Sequence, residues 1–176
     1  MFIGGHVGFG LGALVGARRL LRRTTSLGRP ALNLGWVAFF ALLPDIIDKP
    51  VGLIWWELGS RRLFAHSLLF AVLVLACVRL LWPRLILYAW LVPVHLALDS
   101  MWQSRYTLLF PFRGWRFDPD PMPPDGLTSY IQLIVWKLTH QPEMMVSELA
   151  GLTIIGLYLW SERRQTALLP RGGSPP

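Results

Sequence analysis

The sequence predicts an all-α protein, a polytopic membrane helical bundle with about five spans and one short interfacial helix. Of its 176 residues, 53% are hydrophobic and only 15% are charged, and the mean hydropathy is +0.45. A soluble domain of this size would have difficulty burying so much apolar surface. The apolar residues are concentrated in five blocks that are nearly free of charge: 1–17, 31–43, 67–82, 85–102 and 146–160. Each is somewhat shorter than the roughly 20 residues that cross a bilayer, so flanking residues complete the predicted spans.

The arginines give the predicted spans a direction. Most of them lie between blocks one and two, between blocks three and four, or after block five, where Arg18, Arg84 and Arg163 are examples. The positive-inside rule assigns these segments to the cytoplasm. Of the ten acidic residues, only Glu162 lies on that side. We therefore expect a multi-pass protein of a bacterial or archaeal cytoplasmic membrane, with its N-terminus outside and its C-terminus in the cytoplasm. The net charge of +7 belongs to these linkers, so membrane lipid is the expected partner and nucleic acid is not.

The first helix carries a four-residue glycine period, which predicts close contact with a neighbouring helix: Gly4, Gly8, Gly12 and Gly16. Ser67 is predicted to cap the N-terminus of the third helix. Residues 103–127 are rich in proline, aspartate and aromatic residues and read as an external loop. Residues 128–140 are mostly apolar, but the segment is too short and too charged to span a membrane. This predicts an interfacial or re-entrant helix. We expect residues 1–164 to form one membrane-embedded domain and residues 165–176 to form a disordered tail.

Histidines and aspartates gather at the outer ends of four predicted helices. The set consists of His6, Asp45, Asp48, His66, His95 and Asp99. His95 and Asp99 are four residues apart and Asp45 and Asp48 three apart, so each pair shares one helical face. Imidazole nitrogen and carboxylate oxygen favour Zn²⁺, with Mn²⁺ or Fe²⁺ as alternatives, and six such groups are enough for one or two ions.

Each of these residues also has an ordinary structural interpretation. A single histidine in an apolar run is more often a hydrogen-bonded core residue than a metal ligand. Asp45 could cap a helix after Pro44, and Asp48 could form a surface ion pair with Lys49. All six histidines and aspartates are predicted to lie at one membrane face. This favours a functional site, because ionisable groups near the membrane are costly.

Four segments of the chain form an ordered set of motifs: 43–50 (LPDIIDKP), 62–70 (RLFAHSLLF), 95–99 (HLALD) and 108–112 (LLFPF). Together they resemble the YdjM-like (DUF457) family of inner-membrane proteins. The family is described as containing metal-dependent hydrolases, so the resemblance implies a membrane hydrolase. Many members have Pro-Asp-x-Asp-His where this chain has Pro-Asp-Ile-Ile-Asp-Lys, so its second carboxylate is displaced by one residue.

We therefore expect a membrane-bound, metal-dependent hydrolase that acts at the outer membrane face on a phosphoester or lipid-linked substrate. A metal-activated water would attack the substrate, and Asp48 or Glu148 would take its proton. Lys49, Arg61 and Arg62 would bind a phosphate of the substrate, or else anchor the protein to anionic headgroups. The alternatives are a cation or proton transporter and a metal-binding membrane scaffold that uses the same His/Asp cluster.

Overall fold

A computed structural model describes residues 3–22, 31–55, 59–120 and 127–168. These residues form helices joined by turns, which confirms the predicted all-α fold; their β pairing is limited to an isolated bridge between Ser60 and Asp120. The α-helices are α1 (Ile3–Arg22), α2 (Leu34–Ile54), α3 (Leu68–Leu81), α4 (Ile86–Ala89), α5 (Leu91–Leu98), α6 (Arg105–Leu108), α7 (Leu127–His140) and α8 (Pro142–Leu168). Single 3₁₀ turns occupy Phe64–His66, Pro83–Leu85 and Met101–Gln103.

Local signals in the sequence explain where several helices begin and end. The Asn33 side chain caps α2 by accepting a hydrogen bond from the Trp36 amide at 3.2 Å. Ser67 caps α3 as predicted, and its hydroxyl accepts a hydrogen bond from the Phe70 amide at 3.1 Å. Pro93 has no N–H with which to reach the carbonyl of Ala89, the last residue of α4. The predicted fourth span is therefore divided into α4 and α5.

The glycines of α1 allow it to lie directly against α8. Gly4 lies beside Glu148, Gly8 beside Gly151 and, further along, Gly12 beside Ile154, so the two helices run parallel. A Cβ atom at Gly8 would overlap the backbone of Gly151, which confirms the predicted close contact at this position. Gly16, in contrast, faces open space.

Helices α1, α2 and α5 surround the apolar core. Leu11 of α1, Val37 and Ala41 of α2, and Leu91 and Val92 of α5 are almost completely buried in it. α1 packs on both α8 and α2, and α2 packs on α5. The outward faces of α3 and α8 remain strongly apolar, as expected of helices that contact lipid.

One helix of the described chain is long and apolar enough to cross a membrane. It is the segment Pro142–Arg164 of α8, with 23 residues, few of them buried. Leu68–Leu81 and Pro83–Leu98 are apolar but shorter. The 14 residues of α3 extend about 21 Å, against a hydrocarbon core of about 30 Å. The prediction of five spans is therefore not confirmed by helix length and composition.

The segment predicted to be an external loop is partly ordered by its own side chains. It contains α6, and Thr107 and Asp118 pair reciprocally: the Thr107 amide donates to the Asp118 carboxylate at 2.9 Å, and the Asp118 amide donates to the Thr107 hydroxyl at 2.8 Å. The predicted helix 128–140 is α7, one residue longer at its start. α8 extends four residues into the predicted tail, and residues 169–176 lie outside the described ranges.

Candidate metal centre

Four of the predicted ligands meet in one buried cluster. Asp45 lies on α2, His66 ends the 3₁₀ turn before α3, His95 lies on α5, and Asp99 is the C-cap of α5. One ligand atom of each residue lies within 4.8 Å of the others. The Nε2 atoms of His66 and His95 are 3.3 Å apart. His66 Nε2 lies 3.6 Å from Asp45 Oδ1, and His95 Nε2 lies 3.9 Å from Asp99 Oδ2.

The outward nitrogens of both imidazoles are held by acceptors, which determines how the rings face the cluster. His95 Nδ1 lies 2.7 Å from the carbonyl oxygen of Ala41, and His66 Nδ1 lies 2.7 Å from Asp48 Oδ2. A carbonyl oxygen can only accept, so the proton of neutral His95 is on Nδ1, and the Asp48 carboxylate imposes the same tautomer on His66. Both Nε2 lone pairs therefore point into the cluster. Metal-binding histidines typically have this kind of outer hydrogen bond.

The two carboxylates of the cluster also have outer partners. Asp45 Oδ2 forms an ion pair with Lys49 Nζ at 2.6 Å, one helical turn away. Asp99 Oδ1 lies 3.0 Å from His6 Nε2. His6 is buried and stacks on the ring of His95, with 4.1 Å between the ring centroids. Each of the four cluster residues thus has a partner on the side away from the cluster, and its other oxygen or nitrogen faces inward.

His6 lies behind the cluster rather than in it. Its Nε2 lies 3.0 Å from Asp99 Oδ1, at ion-pair distance, although neither ring nitrogen forms a hydrogen bond of normal geometry with the described residues. The structure therefore places His6 where it orients Asp99 and His95. Its predicted role as a ligand does not fit an ion held by the four inner atoms.

Asp48 is fully buried and supports the turn that carries His66. Its Oδ2 accepts hydrogen bonds from the amides of Leu63 and His66 at 2.7 and 3.1 Å, and its Oδ1 accepts one from the Ala65 amide at 3.1 Å. With the bond to the His66 ring, Oδ2 has three partners and Oδ1 has one. This geometry gives Asp48 the role of holding the turn, and its predicted roles as ligand and proton acceptor gain no support from it.

Glu148 lies at the contact between α8 and the start of α1. Its Oε1 accepts a hydrogen bond from the Gly5 amide at 3.0 Å, next to His6 in the chain. This amide belongs to the first turn of α1, whose N–H groups have no partners within the helix. The structure thus gives Glu148 a capping role, and its predicted role as proton acceptor gains no support.

The charge distribution of the cluster favours a cation at its centre. Burial by itself lowers the pKa of His66, but hydrogen bonds with Asp45 and Asp48 and their negative charges outweigh this effect and raise that pKa above its usual value. Two carboxylates and two imidazoles that face one another repel unless positive charge lies between them. In the metal-free cluster a proton on His66 Nε2 supplies part of this charge, and a divalent ion that takes the place of that proton supplies more.

The donor set fits a divalent metal ion. Two imidazole nitrogens and two carboxylate oxygens suit Zn²⁺, Mn²⁺ or Fe²⁺. Two ligands of one such ion lie at most about 4.5 Å apart, so shifts of a few tenths of an ångström would close the 4.8 Å cluster around it. Among the described residues, the group that could hold a metal ion is Asp45, His66, His95 and Asp99.

The predicted phosphate-binding residues lie beside the cluster but are engaged with acids. Arg61 forms an ion pair with Asp120, and the main chains of these residues are joined by a hydrogen bond. Arg62 Nε lies 3.6 Å from Asp120 Oδ2 and 4.0 Å from Asp99 Oδ2. Arg62 therefore connects the metal cluster to this neighbouring pair, whereas Lys49 pairs with Asp45 of the cluster itself.

Two residues that support the site, Ala41 and Asp120, were not predicted from the sequence. The carbonyl of Ala41 orients His95, and the only signal for it was the four-residue spacing between Ala41 and Asp45 on one face of α2. Asp120 pairs with both arginines across a long sequence separation, for which the sequence contains no local signal.

Fold and site together define an all-helical membrane protein with a buried His/Asp cluster suited to one divalent metal ion. The chain belongs to the YdjM inner membrane protein family, whose model matches residues 1–167. This confirms the resemblance found in the sequence motifs. No curated protein and no solved structure matches the chain.

Proposed function

We propose that this protein is a membrane-bound, metal-dependent hydrolase of phosphoester or lipid-linked substrates. The observation that carries the proposal is the arrangement of Asp45, His66, His95 and Asp99. Each directs one donor atom inward, and each is held on its other side by a separate partner. Such pre-organisation is typical of metal sites, in which outer hydrogen bonds orient the ligands.

A divalent ion at this position supplies a Lewis acid and lowers the pKa of a water molecule. Catalytic zinc sites commonly use three protein ligands and leave a fourth position for water, so four donors exceed the requirement by one. We assign the spare carboxylate to Asp45. Its partner Lys49 has a side chain that is 33% exposed, whereas His6, the partner of Asp99, is buried. The partner within 3.0 Å of Asp45 is therefore a partly exposed lysine, whereas the partner within 3.0 Å of Asp99 is a buried histidine.

In this mechanism Asp45 accepts the proton of the attacking water. The water oxygen forms a bond to phosphorus, the bond from phosphorus to the leaving oxygen breaks, and the proton held by Asp45 passes to the leaving oxygen, which departs as an alcohol. Lys49 and Arg62 lie next to Asp45 and Asp99, where their positive charges stabilise the negative charge that develops on the phosphoryl oxygens.

The test of the function is hydrolysis by detergent-purified protein loaded with zinc or manganese. We expect cleavage of a phosphomonoester, phosphodiester or phospholipid that stops on chelation and returns with the metal. Asp45→Asn should retain the ion and lose about 10²–10⁴-fold in rate, the usual contribution of a general base. His140→Ala, which changes an exposed histidine of α7, is the matched control and should be fully active.

Two outcomes would count against this proposal. Metal-loaded protein that cleaves no member of the substrate panel, yet carries cations into liposomes in a His95-dependent manner, would favour a transporter. A variant that loses metal and is then degraded would instead favour a structural ion, because binding energy at such a site is folding energy.

We also propose the five-span topology, with the N-terminus outside and the C-terminus in the cytoplasm of the inner membrane. The parallel packing of α1 and α8 supports it, since an odd number of spans places the first and last in the same direction. His6 and Glu148 are then at the outer ends of these helices, and Arg18 and Arg163 at the inner ends, as the positive-inside rule requires.

Cysteine labelling in intact cells tests this topology. In a Cys77→Ser background, a membrane-impermeant maleimide should modify a cysteine at Gly114 and leave one at Thr25, in the arginine-rich linker, unmodified. The opposite labelling pattern would reverse the orientation and place the site at the cytoplasmic face.

A further inference from the structure

Arg62 lies at the edge of the metal cluster, between two carboxylates. Its Nε atom is 4.0 Å from Asp99 Oδ2 and 3.6 Å from Asp120 Oδ2. Asp99 Oδ2 is the oxygen that faces the cluster, because it also lies 3.9 Å from the Nε2 atoms of both His66 and His95. A guanidinium and a metal ion would therefore compete for the same oxygen of Asp99.

The positive charge of Arg62 opposes metal binding unless a second carboxylate holds it. Arginine is charged at every physiological pH, so the guanidinium repels a cation bound at Asp99. With Asp99 as its sole carboxylate, Arg62 would either keep this contact and weaken metal binding or lose the contact and turn into solvent. Asp120 provides a third arrangement. Its carboxylate attracts the same guanidinium and is not one of the four residues that could hold the ion.

The main chain fixes the position of Asp120 next to the segment that carries Arg62. The Asp120 amide donates to the carbonyl of Gly59 at 3.1 Å, and the Asp120 carbonyl accepts from the Arg61 amide at 3.1 Å. Its second carboxylate oxygen, Oδ1, forms the ion pair with Arg61. Because these main-chain bonds do not involve the carboxylate, a change confined to that group leaves the backbone pairing in place.

The guanidinium of Arg62 retains donors for a further partner. A guanidinium carries five N–H groups. The described contacts of Arg62 are the two carboxylates, at 3.6 and 4.0 Å, and the sulfur of Met101, at 4.0 Å from Nη1. At these separations both carboxylates attract the guanidinium, but neither accepts a hydrogen bond of normal length from it. The side chain is also 35% exposed, so a substrate oxygen can bind it while Asp120 stays in place.

We propose that Asp120 is a positioning residue that holds the Arg62 guanidinium apart from Asp99, so that the metal ion keeps its ligand and Arg62 keeps donors for the substrate. This inference rests on the proposed function, in which Arg62 stabilises negative charge on the phosphoryl oxygens. It gives the segment after α6 a role at the site, because Asp120 at the end of that segment sets where the substrate-binding cation lies.

The test measures zinc affinity by calorimetry on the detergent-purified full chain, with and without the guanidinium. Asp120→Asn removes the negative charge but keeps the size of the side chain. In the chain that retains Arg62, we expect it to lower zinc affinity about tenfold, because Arg62 then turns to Asp99 and one charge-assisted hydrogen bond contributes about that factor. In an Arg62→Met background, the same change should alter zinc affinity by less than about twofold, as expected of uncoupled sites.

Asp118→Asn is the matched control. It removes a carboxylate from the same segment, while the amide oxygen of asparagine can still accept the hydrogen bond from the Thr107 amide. Its zinc affinity should stay within about twofold of that of the unmodified protein. This variant measures the effect of one lost negative charge near the cluster, apart from any effect on Arg62.

Equal losses of zinc affinity for Asp120→Asn in both backgrounds would overturn the inference, because a purely structural role of Asp120 does not depend on Arg62. An equal loss for Asp118→Asn, or no loss for Asp120→Asn, would overturn it as well. These outcomes leave the proposed function intact as long as the unmodified protein hydrolyses its substrate. A protein that shows the predicted dependence on Arg62 but cleaves nothing would instead support the positioning role and contradict the proposed function.

Discussion

Replacement of His66 or His95 by alanine is expected to lower zinc affinity by more than about 100-fold, beyond the usual range for loss of an outer-sphere partner. Each change removes an inward-facing Nε2 from the cluster and leaves a cavity lined by carboxylates. Asp48→Asn should cost about 10- to 100-fold, because it weakens the hydrogen bond that orients His66 without removing a ligand. Isothermal titration with Zn²⁺, supported by metal analysis of the purified variants, gives these affinities.

His140→Ala is the control for the loss of an imidazole, since this histidine is exposed on α7. Circular dichroism and gel filtration in detergent show whether the variants keep their helices. Zinc affinities of His66→Ala and His95→Ala that equal that of His140→Ala would remove both residues from the ligand set.

Substitution at the contact of α1 with α8 is expected to have the largest effect on stability. A Cβ at Gly8 would meet the backbone of Gly151, and a Cβ at Gly151 would meet the backbone of Gly4, so neither clash can be relieved by turning a side chain. We expect Gly8→Ala and Gly151→Ala to lower the free energy of unfolding by about 1–3 kcal/mol or more, the range for overpacked interiors. Thermal unfolding in detergent measures the loss as a lower Tm.

The matched controls lie on the same two helices. Gly16 and Gly156 have no atom within 4 Å of an added Cβ, so alanine there should leave the Tm unchanged or raise it, because alanine favours helix over glycine by roughly 1 kcal/mol. Equal Tm values for all four variants would mean that α1 and α8 do not pack closely in the membrane.

The contact between α1 and α8 also affects the metal cluster. Glu148 lies one turn before Gly151 on α8 and binds the Gly5 amide, next to His6. Separation of the helices would therefore also displace His6 from Asp99 and from the ring of His95. Weaker zinc binding by Gly151→Ala is thus an expected consequence of the clash.

The sequence predicted the helical fold and the members of the cluster because both have local signals. Charge-free blocks indicate apolar helices, and the spacing of His95 and Asp99 indicates one helical face whatever the rest of the chain does. What spacing cannot decide is which of two neighbouring carboxylates faces the cluster. Asp45 and Asp48 share one face of α2, but the three amides of the 63–66 turn bind only Asp48, and that turn is distant in sequence.

The number of spans was harder to predict, because hydrophobicity does not determine where a helix ends. α3 stops at Leu81, and Pro93 divides the following apolar block. α2 continues beyond its apolar part and carries Asp45, Asp48 and Lys49 on its second half. A helix that bears a polar site therefore carries more charged residues than a plain span of equal length.

The proposed function requires that the cluster of Asp45, His66, His95 and Asp99 hold a single metal ion. X-ray absorption spectroscopy of the zinc-loaded protein, combined with elemental analysis, measures this directly. We predict one zinc per chain, bound by two imidazole nitrogens and at least two oxygens at about 2.0–2.2 Å. One imidazole should disappear from the spectrum of residual zinc in His95→Ala. A protein that binds no zinc, manganese or iron in stoichiometric amount, or whose zinc shell contains no imidazole, would contradict the account.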